Sequence, residues 1–79
     1  LLTVFAAPGD VLIRRGDAAQ AVYFLASGAV EVDLGHRRVR LGRGEMFGEL
    51  AVLSRRPRRA EVRAISYATL FCLDEARFR

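Results

Sequence analysis

The chain has no lysine, and it has one cysteine, one histidine and one methionine among its 79 residues. Each scarcity removes a class of chemistry. Cys72 alone cannot form an internal disulfide, and Cys72 with His36 supplies too few soft ligands for a zinc or iron cluster. A metalloenzyme site built on one histidine is excluded on the same count. No apolar stretch reaches the roughly 20 residues that a membrane-crossing helix needs. The lone Cys72 sits in the apolar run "ATLFCL" and reads as buried filler. A reducing, cytoplasmic setting is expected, either for a free protein or for the cytosolic part of a membrane protein.

All thirteen basic residues are arginines, set against nine acidic residues, for a formal charge of +4. Acids and arginines are interspersed, so a mixed solvated surface and an anionic partner both fit the balance. With 52% hydrophobic residues the chain can bury one small core, near the size at which burial only just offsets chain entropy. A single domain over residues 1–79 is expected. The chain opens mid-pattern at "LLTVF" and stops at "DEARFR", a helix just begun, so the domain reads as a fragment of a longer protein.

Seven short β-rich runs recur between glycines: "LLTVFA", "DVLIRR", "AVYFLA", "AVEVDL", "RRVRL", "AEVRAI" and "ATLFCL". This spacing predicts a mostly β, antiparallel sandwich or barrel, with a β-roll or jelly-roll barrel as the expected form. Gly35-His36 forms a two-residue loop with glycine first, which suits a type II′ turn and sets the register. Asp33 then faces Arg38, Val32 faces Val39, Glu31 faces Arg40 and Val30 faces Leu41, with one face apolar and the other salt-paired. "ASGAV" around Gly28 makes another tight turn, and Pro8-Gly9-Asp10 and Arg15-Gly16-Asp17 mark two more. His36 is a solvated turn residue on this reading.

The stretch "LGRGEMFGELAVLSRRPRR" breaks the pattern. Gly42, Gly44 and Gly48 permit turns that aim several backbone N–H groups at one spot. Glu49 to Leu53 has the residues of a helix, and Pro57 limits it to a turn or two. The free amides of such a helix suit an anion, and Arg58, just past the proline, could grip two phosphate oxygens at once. Glu49 would repel a phosphate but could accept hydrogen bonds from a sugar hydroxyl. Taken singly, Glu49 answers the helix dipole and Arg58 lies in solvent. Taken together they describe a site for a nucleotide with one anionic group. Strand parity sends Arg58, Ala60, Val62 and Ala64 inward, and Arg59, Glu61 and Arg63 outward. Arg55 and Arg56 are left to solvent or a neighbouring domain.

Phe47-Gly48-Glu49, the apolar run Leu50 to Leu53, and Pro57-Arg58-Arg59-Ala60 resemble the phosphate-binding cassette of cyclic nucleotide-binding domains. Those domains occur in protein kinase A regulatory subunits, catabolite activator proteins and cyclic nucleotide-gated channels. Upstream, "GDVLIRRGDAAQAVYFLASGAVEV" is similar to the first half of the same family. The resemblance implies a β-roll with a short cassette helix and a C-terminal helical part, truncated here and lacking the lid helix. It implies a bound cyclic nucleotide, cAMP or cGMP, with no catalysis and no further cofactor. Glu49 would bind the ribose 2′-hydroxyl and Arg58 the cyclic phosphate, with amides around Gly48, Leu50 and Ala60 completing the cradle. Val39, Leu41 and Val62 would face the base or serve as core.

Arg59 departs from the family pattern, which has a small residue there. Threonine at that position accompanies cGMP preference, so its absence favours cAMP. Arg59 could reach the phosphate or block the pocket. Expected partners are the nucleotide and a neighbouring domain of the parent, which would be a bacterial-type cation channel or antiporter. The alternatives are a catabolite-activator-like transcription regulator, whose partner domain would bind DNA, and a domain that no longer binds nucleotide. Self-association is expected only through the parent. Direct nucleic-acid binding by the domain is not expected: it would leave Glu49 unexplained, and the sequence shows no exposed aromatic pair for base stacking.

Overall fold

The computed structural model describes residues 2–18, 21–48 and 57–74. Eight strands follow in chain order: β1 (Leu2–Ala6), β2 (Val11–Ile13), β3 (Ala21–Ser27), β4 (Val30–Asp33), β5 (Arg38–Leu41), β6 (Met46–Phe47), β7 (Glu61–Ala64) and β8 (Ala68–Asp74). They form two four-stranded sheets, ordered β1-β8-β3-β6 and β2-β7-β4-β5, with every pairing antiparallel. The chain crosses between sheets repeatedly, as a jelly roll does. The cassette helix and the helix at "DEARFR" expected from sequence lie outside the described residues.

All seven expected runs are strands. β6 was not among them; it occupies two residues of the stretch read as a glycine-rich break. The β4–β5 hairpin has the register predicted from its turn: Asp33 opposite Arg38, Glu31 opposite Arg40, Val32 opposite Val39 and Val30 opposite Leu41. Gly35 takes φ 92°, and the Leu34 N–H donates to the Arg37 carbonyl at 2.9 Å. The charge pairing is diagonal as well as direct, because the Arg38 Nε lies 3.9 Å from both Glu31 and Asp33 carboxylates. Such exposed pairs add little stability; they help fix alignment.

Alternation builds the core. Leu25, Leu70 and Val30 are fully enclosed, and Ala6, Ile13, Phe47, Val62, Ala64 and Ala68 pack with them. Burying such aliphatic side chains contributes about 1.5–3 kcal/mol each. Bulges between Val11 and Ile13 and between Leu25 and Ser27 shift the register, the usual means of bending a sheet. On the outer face of the first sheet, Phe24 of β3 stands opposite Phe71 of β8, their rings stacked with centroids 6.2 Å apart. Phe24 is 39% exposed. The sequence reading that denied any exposed aromatic pair is therefore corrected: two strands far apart in sequence bring the rings together.

Gly28 joins β3 to β4 at φ 84°, and a Cβ placed there would lie 2.3 Å from the Tyr67 carbonyl oxygen. Both the left-handed backbone and the close approach require glycine. Gly44 has a similar φ of 90° but open space around it. Gly44→Ala is therefore expected to cost about 1–2 kcal/mol, the backbone penalty alone. Gly28→Ala should cost distinctly more, since backbone would have to move. Urea midpoints of the two variants check this, and equal losses would contradict the steric account.

Candidate functional site

Arg58 lies just before β7 and is 7% exposed, the buried charged residue among those described. Burying a guanidinium is costly unless its donors are met. Here Nη1 donates to the Gly48 carbonyl at 2.8 Å, and Nη2 donates to the Ala21 carbonyl. The fork thus joins the start of β3 to the residue after β6. Both acceptors are main-chain oxygens, and these two contacts orient the guanidinium.

Each element around Arg58 has a local cause. β6 pairs with β3, Tyr23 opposite Phe47 and Phe24 opposite Met46. The buried Phe47 ring stacks on Tyr23 at 5.2 Å, fixing the chain where Gly48 begins. A turn over 42–45 feeds β6, with Gly44 N–H donating to the Leu25 carbonyl at 2.8 Å and Leu25 N–H to the Glu45 carbonyl at 2.9 Å. Gly48 itself adopts φ 93°, and a Cβ there would stand 2.6 Å from Arg58 Nη1. The glycine therefore admits the guanidinium as well as the turn.

The main chain of Arg58 is held from the other side. Gly16 N–H donates to the Arg58 carbonyl at 2.9 Å, and Arg58 N–H donates to the Asp17 carbonyl at 2.8 Å. The predicted parity holds at five of the seven positions from 58 to 64: Arg58, Val62 and Ala64 are buried and Arg59 and Arg63 are exposed, whereas Ala60 and Glu61 are both half-buried. Arg59 turns its side chain outward, and its carbonyl accepts a bond from Arg15 Nε at 3.0 Å. Glu61, expected to point outward, is half-buried and pairs with Arg63 at 3.1 Å.

The structure thus brings Gly48 and Arg58 into contact and sets Arg59 and Ala60 on the lead-in to β7. Glu49 and Leu50, with Arg55 and Arg56, lie outside the described residues. Val62 belongs to the core, while Val39 and Leu41 are half-buried, with Leu41 packed against it. The Ala21 carbonyl, the Asp17 carbonyl, the Gly16 N–H, Arg15 and Tyr23 all escaped the sequence reading as participants. Main-chain acceptors carry no residue signature, so no signal could have named the first two. Cys72, read as filler, is half-buried and stands opposite Tyr23 in the register of β3 and β8.

Known proteins resemble this chain in sequence and in fold. The family described as cyclic nucleotide-binding domain matches residues 3–79. A Rhodopseudomonas palustris protein named as a candidate potassium channel is 51% identical over 75 residues, covering 90% of this chain and 18% of that protein. The mouse potassium/sodium hyperpolarization-activated cyclic nucleotide-gated channel 2 is 39% identical over 72 residues, 90% of this chain and 8% of the channel. The chain therefore spans less than a fifth of these relatives. Among solved structures, the regulatory subunit of a cAMP-independent protein kinase A from Trypanosoma brucei superposes with a TM-score of 0.93 at 26% identity. That match covers 98% of this chain and 29% of the subunit. An EAL enzyme solved with cAMP and cyclic-di-GMP bound gives 0.89 at 26% identity, over 99% of this chain and 22% of the enzyme.

Tyr23 reports on the interior beside Arg58. Burial pushes its phenol above the ordinary value, the Cys72 thiol adds to the rise through charge and a hydrogen bond, and the Arg58 guanidinium opposes it. The folded chain thus holds the phenolic proton to higher pH than the unfolded chain. Its contribution to stability is intact below the ordinary tyrosine value and is lost as pH rises through the folded one. Urea midpoints measured between about pH 9 and about pH 11 should fall, and Tyr23→Phe should flatten that fall. An identical slope in the variant would remove Tyr23 as its source.

Proposed function

Because the chain belongs to the cyclic nucleotide-binding domain family, we propose that it is a regulatory sensor that holds a cyclic nucleotide against Arg58 without chemically altering it. The carrying observation is the buried guanidinium, which donates to the Gly48 and Ala21 carbonyls beside a positive-φ glycine. A cyclic phosphate bears one negative charge and two exocyclic oxygens, which a guanidinium fork matches. Gly48, Leu50 and Ala60 would supply backbone amides, and Glu49 would accept from the ribose 2′-hydroxyl. Arg59, exposed on the outward side, would add positive potential that draws the anion in.

The preferred ligand is cAMP over cGMP, on the absence of threonine at position 59. A cation channel is the favoured parent, since both relatives described above carry channel names. An antiporter or a transcription regulator would use the same sensor differently. The domain would then sit on the cytoplasmic side, with a neighbouring domain as its partner. Nucleotide binding would shift that neighbour by favouring one of two arrangements, by an amount equal to the difference in affinity. A second reading, a roll that keeps the fold without binding nucleotide, draws support from the Trypanosoma neighbour, described as cAMP-independent.

Calorimetric titration with cAMP and cGMP separates these readings. The unaltered chain should bind cAMP more tightly than cGMP, and Arg58→Ala should weaken binding by about 100-fold, the scale of a lost bidentate charge-assisted contact. Saturation at about 100 times Kd should add about 2.7 kcal/mol to unfolding stability and raise the melting temperature. Heat-silent titrations with an unmoved melting curve would establish the non-binding reading instead.

A further inference from the structure

Arg15 lies in the turn after β2, where Asp17 N–H donates to the Arg14 carbonyl at 3.2 Å and Gly16 takes φ 91°. Sequence reading treated this turn as punctuation. In three dimensions its side chain reaches across two other segments. Nε donates to the Arg59 carbonyl at 3.0 Å. Nη2 donates to the Asp33 carbonyl at 2.8 Å, with the Asp33 carboxylate 3.8 Å away. One guanidinium therefore ties the end of β4 to the segment that enters β7.

The main chain of the same turn supplies two more bonds. Gly16 N–H holds the Arg58 carbonyl and Asp17 carbonyl holds the Arg58 N–H. Residues 58 and 59 are thus fastened to residues 15–17 by three hydrogen bonds, one of them from a charged fork. The direction of the Arg58 side chain follows from its peptide planes. Gly16 holds the 58–59 peptide through the Arg58 carbonyl, and Arg15 holds the next peptide, 59–60, through the Arg59 carbonyl. Lysine could not replace Arg15, because a single ammonium lacks the two parallel donors that address carbonyls on different segments.

We propose that Arg15 is a positioning residue for the anion site: it fixes the 59–60 peptide, the one after that held by Gly16, and thereby steadies the turn that aims the Arg58 guanidinium. The inference rests on the reading that Arg58 anchors the cyclic phosphate. It also links the β4–β5 hairpin to ligand affinity, because the Asp33 carbonyl shares the same fork.

The test compares the full chain with Arg15→Ala, Arg15→Lys and Arg58→Lys, and with Arg15→Ala combined with Arg58→Lys. Arg15→Ala should weaken cAMP binding by about three- to ten-fold, the scale of one hydrogen bond, and Arg15→Lys should also weaken it. In the Arg58→Lys background the same change should cost less than about two-fold, as expected when one residue acts through the other. A purely structural role would give equal losses in both backgrounds and would overturn the proposal. Without ligand, amide hydrogen exchange at Gly16 and Arg58 should quicken in Arg15→Ala while Leu25 and Leu70 stay protected. Unchanged exchange at Arg58 would overturn it as well. If the unaltered chain binds no nucleotide, the sensor reading fails and the inference with it. If it binds, and Arg58→Ala loses affinity while Arg15→Ala does not, only the inference fails.

Discussion

A guanidinium inside a small roll is the constraint around which much of the described structure is organised. Arg58 can be enclosed only if its donors find acceptors, and the fold provides them from two segments distant in sequence. That requirement explains why a strand of two residues persists. β6 is too short to stabilise anything by itself, yet its pairing with β3 and the stack of Phe47 on Tyr23 set the Gly48 carbonyl where the guanidinium needs it. It explains as well why the glycine after β6 lies in the left-handed region, with no room for a side chain.

The arginine excess has a more local explanation than a net charge of +4 suggests. Arg15 and Arg38 reach acids or carbonyls on neighbouring segments, Arg63 pairs with Glu61 within β7, and Arg58 is buried. The contacts of Arg15 and Arg38 specify alignment. A composition that could have signalled polyanion binding is absorbed to this extent by register and by one enclosed site. Membership of a cyclic nucleotide-binding family agrees with that allocation.

Much of the fold was legible because a strand's period is short and its turns leave chemical marks. The β4–β5 hairpin could be registered residue by residue, since Gly35-His36 dictates the loop and Val30, Val32, Val39 and Leu41 then share a face. Alternation from Arg58 to Ala64 was readable except at Ala60 and Glu61. β6 was hidden because two residues show no period and glycines surround them. Which strands share a sheet was hidden, as was the meeting of Phe24 with Phe71, because both depend on pairings between strands far apart in sequence. In the site, Gly48 and Arg58 were legible through the cassette they resemble. Arg15 was not, because its acceptors are carbonyls, which every residue possesses. Glu49 and Leu50 lie outside the described residues, and their roles stay with the resemblance.

That anonymity of the acceptors bears on how the domain can change over time. Oxygens at positions 17, 21, 33, 48 and 59 are contributed by the peptide, so most of those positions can drift in identity without loss of a bond. Glycine at 48 is the exception among them. A scaffold wired in this way can diverge to about a quarter shared residues and still overlay closely on a distant kinase subunit. Shape descends through the backbone while the side chains are free to vary.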